Sequence, residues 1–514
     1  MLKLFCIVHE SALERVVEQL QRMACVQFFD VKEQLRFLKP VDTRKNEILA
    51  LEERISRLLS DLKPETVTDF IEKLLGPKAV PVEIVEKVLS IEEIENEVNR
   101  LENEYLEYCE RLSTIQRKLR EMEVTGSDKV KDVEECLRTV EAELALFKKR
   151  NYPHLLALKE ELENLKIRAK ALEKFGRSRS VVFLAGWVPE KRADVVRNAI
   201  EDAAGGLAIL EFYLPEAQES PPILLENPRI IKPYEVLTTT YGLPEYDGID
   251  PTPILAITFT AMFGMMFADV GYGLVLSILS LILYLLTTHR ERVIKDINLI
   301  IFYAGTASMF FGLLAGEFFG GLLKIKPLLA GYMQNLQLLL AISFLLGFAH
   351  ISLSLLSRIA SMKDVLYSLS LLLILWGSAL YFTIPGIKIF SLTVLLAGII
   401  LLTKDRGLGA VEEIIALAAN VISYARVGAL AAIHVTLARL LVKVVAGVQN
   451  GIVGMIIAPI LFVLGAALIL ASSTFIVFIQ SLRLHWLEFF RRFYSGKGEM
   501  FKPFAYKHEY IYLL

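Results

Sequence analysis

A chain of 514 residues, 54% of them hydrophobic, is too long for one domain and too apolar for an ordinary soluble protein. Its net charge of −2, with no basic block, gives no footing for a nucleic-acid partner. Residues 1–213 are dense in Glu, Lys and Arg, whereas from Pro253 to Leu487 charges are sparse and apolar runs of spanning length follow one another, which predicts a soluble domain followed by a polytopic membrane domain.

In chain order, Leu4–Val8 reads as a strand, Ser11–Met23 as a helix capped by Ser11, and Val26–Val31 as a second strand. The order returns at Val181–Leu184 (strand), Glu190–Ala203 (helix) and Ala208–Tyr213 (strand), with Gly205-Gly206 as the turn. Two such β-α-β units are most economically satisfied by one ferredoxin-like α/β lobe built from 1–40 and 178–213. The intervening 41–177 reads as a helical excursion with a distal region. Ile91, Ile94, Val98, Leu101, Tyr105, Tyr108, Leu112, Ile115, Leu119 and Met122 alternate three and four apart, a coiled-coil pattern. Ile48, Leu51, Ile55 and Leu58 repeat it on the way out, and Leu158, Leu162, Leu165, Ala169 and Leu172 on the way back, after a break expected at Pro153. Heptads do not fix partner or direction, so a coiled-coil rod and a compact helical bundle both fit. Cys6, Cys25, Cys109 and Cys136 lack paired or metal-ligand spacing, which suits a reducing cytoplasm. The apolar run in MLKLFCIVHESALERV is too short for a signal peptide, so the domain is expected to stay in the cytoplasm.

The proline-rich stretch 214–252 predicts an extended connector. The membrane domain, 253–490, reads as eight spans near 253–267, 270–288, 297–316, 333–357, 365–384, 387–403, 411–446 and 451–490, followed by a tail at 491–514. One side carries His289-Arg290-Glu291-Arg292, Lys295, Arg358, Lys363, Lys404, Arg406 and the basic tail; the other carries Lys324, Lys326 and Lys388. That bias places both termini in the cytoplasm. The last two segments, at about 1.5 Å per residue, exceed a hydrocarbon core of about 30 Å and must tilt or protrude.

Arg426 stands in the apolar run ISYARVGALAAIHVTLARLLVKVV, and Arg483 in FIQSLRLHWLEFF. A buried membrane arginine needs a partner or a water-filled cavity, although Arg483 also fits a side chain snorkelling to the interface. At about 100° per residue, Glu412, Ser423 and His434 fall within about 80° of Arg426, while Ser472 and Gln480 share the Arg483 face. Such stripes line a wet path or form an interhelical hydrogen-bond seam; sequence leaves both open. The carboxylates between Gly409 and Arg491 are Glu412, Glu413 and Glu488, all read as lying at the cytoplasmic ends, so the acid facing the arginines is expected from another subunit. A guanidinium cannot release its proton but can hold a facing carboxylate ionised. With no GxxxxGK[ST] and no HExxH, no nucleotide, metal or other cofactor is expected.

SYARVGALAAIH, QSLRLHWLEFFRRFYSGKGEMFKPF, MFGMMFADVGYG, GEFFGG, LAGWVP and the connector PPILLENPRIIKPYEVLTTTYGLPEYDGIDPTP together resemble the a (or I) subunit of the rotary V-type and A-type ATPases. Lacking the extensions and glycosylated loops of eukaryotic relatives, the chain is most similar to the archaeal or bacterial A-type branch. The resemblance implies a non-catalytic stator subunit in the plasma membrane, with eight membrane helices, that translocates H⁺ or Na⁺. Its last two helices would face a ring of proteolipid c (K) subunits that supplies the ion-binding carboxylate. Partners would be that ring, the peripheral-stalk subunits, a central-stalk cap subunit and membrane lipid. Arg426, the principal one, and Arg483 fall on the family's essential arginine pair. Glu412 and His434 match polar positions along its half-channels. Many eukaryotic relatives carry a glutamate where this chain has Ser473, so the path on that side would use Ser472, Ser473, Gln480 and water, with Ser423 on the other helix. Two rivals stand beside this: a secondary transporter, which predicts an internal repeat that the spans do not display, and a membrane-anchored coiled-coil scaffold, which leaves the arginines unexplained.

Overall fold

The computed structural model describes the chain except residues 32–37, 42–43, 64–89, 126–129, 217–218, 247, 288–291, 324, 329–334, 362–363, 449–450 and 508–514. His289, Arg290, Glu291, Lys324 and Lys363 of the loop-charge pattern, and much of the distal region, lie outside the described residues. Two compact units emerge: Met1–Pro222 with Phe501–Leu514, and Ile223–Met500.

The first unit centres on β1 (Leu2–His9), whose alternation sends Leu4, Cys6 and Val8 into the core. It pairs antiparallel with β5 (Val181–Val188) in the register Cys6↔Leu184 and with β6 (Ala208–Tyr213) in the register Cys6↔Leu210. Short β2 (Gln27–Phe28) joins β5 on its far side. The strand order β6-β1-β5-β2 is that of a ferredoxin-like lobe. Two further short strands, β3 (Lys39–Pro40) and β4 (Gly176–Arg177), extend the sheet beyond β5. Helices α1 (Leu13–Met23) and α5 (Ala193–Ala204) cover one face through Val16, Val17, Leu20, Val196 and Ile200. Burial pushes the Cys6 thiol up to about 12, which makes it inert. Two readings are corrected. Ser11 does not cap α1: it lies in a 3₁₀ turn, Glu10–Ala12, whose N-cap is His9, with Nδ1 accepting from Ser11 N at 3.3 Å. The strand read over Val26–Val31 is shorter: it is a regular strand beside β5 at Gln27 and Phe28, with one further bond from Phe29 N to Ala185 O (3.2 Å).

Between the two halves of the lobe run α2 (Lys45–Asp61), α3 (Ile91–Thr125) and α4 (Val130–Leu172). Their apolar stripes meet at Ile48, Leu51, Ile55, Leu58, Ile94, Val98, Leu101, Leu155, Leu158 and Leu162, a three-helix core. Past Leu101 the α3 stripe is only half-buried; Tyr108 meets Phe147 (5.3 Å between ring centroids) and Arg111 reaches Glu143 (3.4 Å), an antiparallel pairing with α4. The break expected at Pro153 is absent, because α4 continues through it for 43 residues. A mid-helix proline forfeits a hydrogen bond, but burial of Leu155 and Leu158 immediately after it holds the helix in line.

The tail closes onto this unit. Phe504 N donates to Val26 O (2.7 Å) while its ring meets Phe28 (5.2 Å), and Asn164 brackets the Lys507 backbone, donating to its carbonyl (3.2 Å) and accepting from its N–H (2.8 Å). Nearby, Glu161 is buried with Oε1 unpaired, and desolvation holds its carboxyl above the usual range against the opposing pull of Asn164 and Arg168. A raised acid contributes stability fully below its unfolded value and loses it as pH climbs through the folded value, so ionised Glu161 weakens the fold at neutral pH. Glu161→Gln is expected to stabilise this region by about 1 kcal/mol at pH 7.5 and by nothing measurable near pH 4. Hydrogen exchange of peptides from α1 and α4 in the full-length protein measures this; equal protection at pH 7.5 would contradict it.

The second unit contains five helices long and apolar enough to cross a membrane, among the described residues: Arg292–Ala315, Leu336–Ala360, Val365–Thr383, Gly409–Val448 and Gly454–Phe493. Two shorter apolar helices, α7 (Thr252–Met266) and α8 (Val270–Leu286), precede them. The first three of the five are α9 (Arg292–Ala315), α10 (Leu336–Ala360) and α11 (Val365–Thr383), and α12 (Lys388–Arg406) follows them before the long pair. The connector is not wholly extended: α6 (Glu235–Tyr241) interrupts it. Of the long pair, the first is divided at Tyr424 into α13 (Gly409–Ser423) and α14 (Ala425–Val448), so it is not the unbroken helix read over 411–446. Three-residue hydrogen bonds, Tyr424 N to Val421 O (3.1 Å) and Val427 N to Tyr424 O (2.9 Å), tighten the chain there. The cause is lateral: the Tyr424 ring is fully buried against Gly347 and its hydroxyl meets His350 Nδ1 at 2.7 Å. The last helix, α15 (Gly451–Arg483), gives way to a π-helical turn, Leu484–Phe490.

Candidate functional site

The division at Tyr424 puts Arg426 in the first turn of α14. Helices α14 and α15 run antiparallel, since a Cβ on Gly465 would meet Leu441 Cδ1 at 2.4 Å while Arg426 faces the π turn. Arg426 Nη2 lies 3.8 Å from Glu488 Oε1, with the Glu488 side chain 6% exposed and that of Arg426 31% exposed. Nη1 of Arg426 and Oε2 of Glu488 are buried without partners. The charge of Arg483 and the hydroxyl of Ser423 also act on Glu488. The expectation that no carboxylate of this chain lies level with the arginines is therefore overturned. The π turn folds the end of the last helix so that His485 and Glu488 both point inward, and Glu488 meets the start of α14 rather than solvent.

The candidate positions separate into groups. Arg426 approaches Glu488 at 3.8 Å, Arg483 adds its charge from the exposed face of the last helix, and the Ser423 hydroxyl turns back to Asn420 O (2.7 Å). Gln480, one turn before Arg483, holds a buried Oε1 without a partner. Ser473 is buried, whereas Ser472 is exposed with its hydroxyl turned back to Leu468 O (2.7 Å). Glu412 is exposed on α13 and His434 is buried two turns beyond Arg426, about 12 Å along α14. The structure brings neither into contact with the arginines.

His434 belongs to a second cluster. Its ring stacks on Phe267 (4.4 Å) and meets Tyr272 edge-on (5.4 Å); both ring nitrogens and the Tyr272 hydroxyl are buried without partners. These aromatics come from MFADVGYG, whose Asp269 caps α8 by accepting from Tyr272 N (3.0 Å) and also accepts from Phe319 N (2.9 Å) and Gly320 N (2.9 Å) of GEFFGG. Glycine is required at 320, where φ is +66° and a Cβ would lie 2.3 Å from the carbonyl carbon of Ala438. The loop thus sits directly on α14, and its Glu317, nearly enclosed, pairs with Arg439 of that helix. Sequence reading missed Arg439 and the meaning of Glu317, though a second guanidinium in the same apolar run as Arg426 was the available signal. A third inward set joins His350 to Tyr424, and His485 to Thr258 Oγ1 (2.7 Å) and Ser481 O (2.7 Å). No group of three metal-ligating side chains occurs among the described residues.

Residues 88–328 and 407–506 match the model of the V-type ATPase 116kDa subunit family, covering both clusters and all the motifs that form them. The A-type ATP synthase subunit I of Methanocaldococcus jannaschii is 29% identical across 92% of this chain and 81% of its own length. The proteins of the same name from Pyrococcus horikoshii and Methanothermobacter thermautotrophicus are each 30% identical, over 74% and 68% of this chain. The chain spans 62% and 55% of those two, less than two thirds of their length. Because the family match extends over more than half of its residues, from the helical excursion through the paired long helices to the tail, the chain belongs to the V-type ATPase 116kDa subunit family.

Proposed function

We propose that this chain is the ion-translocating stator subunit of a rotary A/V-type ATPase or ATP synthase. One observation carries the reading: each long helix presents an exposed apolar stripe containing one arginine. On the first, Ile422, Ile433, Leu437, Leu440 and Val444 flank Arg426; on the last, Leu468, Phe475, Ile479 and Leu487 flank Arg483. An apolar stripe is suited to lipid or to the apolar wall of another membrane subunit, and a cation within it calls for a carboxylate from that neighbour. A ring of proteolipids with one acid per subunit supplies this. An ion entering one half-channel neutralises the ring carboxylate, the ring carries it through lipid, and Arg426 favours the ionised acid as the ion leaves by the other half-channel. The helices cross the membrane eight times in this reading, with both termini in the cytoplasm of an archaeon or bacterium, as the bias of Arg292, Lys295, Arg358, Lys404, Arg406, Arg491 and Arg492 over Lys326 and Lys388 requires. The N-terminal helices brace against peripheral stalks, and a central-stalk cap subunit completes the partners. Nucleotide chemistry takes place on other subunits.

Purification of the native complex tests this. A co-migrating proteolipid ring, stalk subunits and catalytic head are expected; a chain that purifies alone and transports an anion would favour a secondary transporter. Within the complex, Glu412→Ala and His434→Ala are each expected to lower pumping several-fold without abolishing it, because water replaces a channel-lining side chain. Unchanged rates across pH in both variants would remove these residues from the path.

A further inference from the structure

Glu488 has no task in the mechanism above, yet it is the acid nearest the essential cation. Its side chain is almost completely enclosed, and two guanidinium groups act on it from the two long helices. Such a carboxylate would normally be claimed by a close bidentate contact. Instead the nearest approach to Arg426 is 3.8 Å, and Oε2 of the acid and Nη1 of the arginine both remain unpaired. The 3.8 Å separation and the unpaired atoms on both partners leave Arg426 free to accept a second acid. We infer that Glu488 is a positioning residue of the translocation step, a resident counter-charge that competes with the ring carboxylate for Arg426 and so releases it; this rests on the ion-translocation reading. An arginine with no internal competitor would hold the ring acid too long, and rotation would stall. One with a tightly bound internal partner would not attract the ring acid at all. The loose, incomplete pair satisfies both demands.

The test uses the intact complex in proteoliposomes, measuring ATP hydrolysis and ion pumping together. Glu488→Gln is expected to slow both by about tenfold or more with their ratio unchanged, because the ring is held rather than slipping. Adding Arg483→Gln to Glu488→Gln restores the original charge balance and is expected to recover part of the rate, or of assembly if Glu488→Gln alone fails to assemble. A carboxylate that only ties the helices together predicts the reverse: pumping lost while hydrolysis continues, and additive damage in the double variant. Normal turnover in Glu488→Gln, uncoupled hydrolysis, or no recovery in the double variant would each overturn the inference. None of these results bears on the role of Arg426, which Arg426→Ala tests by itself.

Discussion

Arg426→Ala is expected to abolish coupled ion pumping while the complex still assembles and its catalytic head still hydrolyses ATP. An opposite charge within about 4–6 Å lowers an acid's pKa by roughly 1–3 units, so removing it shifts the ionised fraction of a membrane carboxylate by on the order of 10- to 1,000-fold. Loss of that bias leaves the ring acid neutral as it passes the stator, and no ion is released. Assembly survives because the Arg426 side chain is 31% exposed and its approach to Glu488 is long, at 3.8 Å, so no tight ion pair is broken there. Arg426→Lys retains a charge but is expected to lose most activity: the ammonium is shorter, lacks the planar fork, and sheds its proton when desolvated. Arg483→Ala should be damaging but less absolute, since that side chain is exposed and acts on Glu488 together with Arg426. Ion uptake by proteoliposomes, with subunit composition checked on the same preparation, measures all three. Near-normal uptake by assembled Arg426→Ala complexes would sink the mechanism.

Local periodicity carried much of this structure. Alternation in Leu4–Val8 and the return of the same order near 181–213 foretold the strands of the small sheet, and the heptads of Ile91–Met122 foretold a long helix, whose stripe is buried in the three-helix core as far as Leu101. What periodicity could not convey were events decided by distant partners. Pro153 reads as a breaker until Leu155 and Leu158 are seen held in a three-helix core. Tyr424 reads as one more apolar residue until Gly347 and His350 of another helix fix it and tighten the chain. The site suffered the same limit. Arg426 and Arg483 announce themselves because a cation in an apolar run is costly wherever it lies. Glu488 does not, because its depth depends on the π turn and on the level at which two antiparallel helices meet, neither of which is encoded in local spacing. Glu317 and Arg439, 122 positions apart, are paired only by the fold of the GEFFGG loop.

That loop is where the largest structural effect is expected, on substituting Asp269. Its carboxylate is 1% exposed and accepts three backbone N–H groups, two from residues some fifty positions away. Phe319, at φ +45°, and Gly320, at φ +66°, adopt left-handed conformations there, which for phenylalanine is costly and persists only while its surroundings hold it. Asp269→Ala would strand all three donors away from water, at about 1–3 kcal/mol each, and remove the cap of Val270–Leu286 at about 1 kcal/mol. A loss of several kcal/mol is comparable to a domain's whole stability, so the GEFFGG loop is expected to come away from Ala438 and to carry Glu317 from Arg439. Arg439 would then be left uncompensated on the helix that bears Arg426, lowering both assembly and pumping. Asp269→Asn keeps the shape but turns an amide N–H₂ toward at least one backbone donor, so intermediate damage is expected. Hydrogen exchange across residues 312–323 in the purified complex reads the loop directly. Loss of protection in Asp269→Ala, partial loss in Asp269→Asn, and protection equal to the unsubstituted protein in Glu412→Ala is the pattern this geometry demands; full protection in Asp269→Ala would show that the carboxylate does not hold the loop.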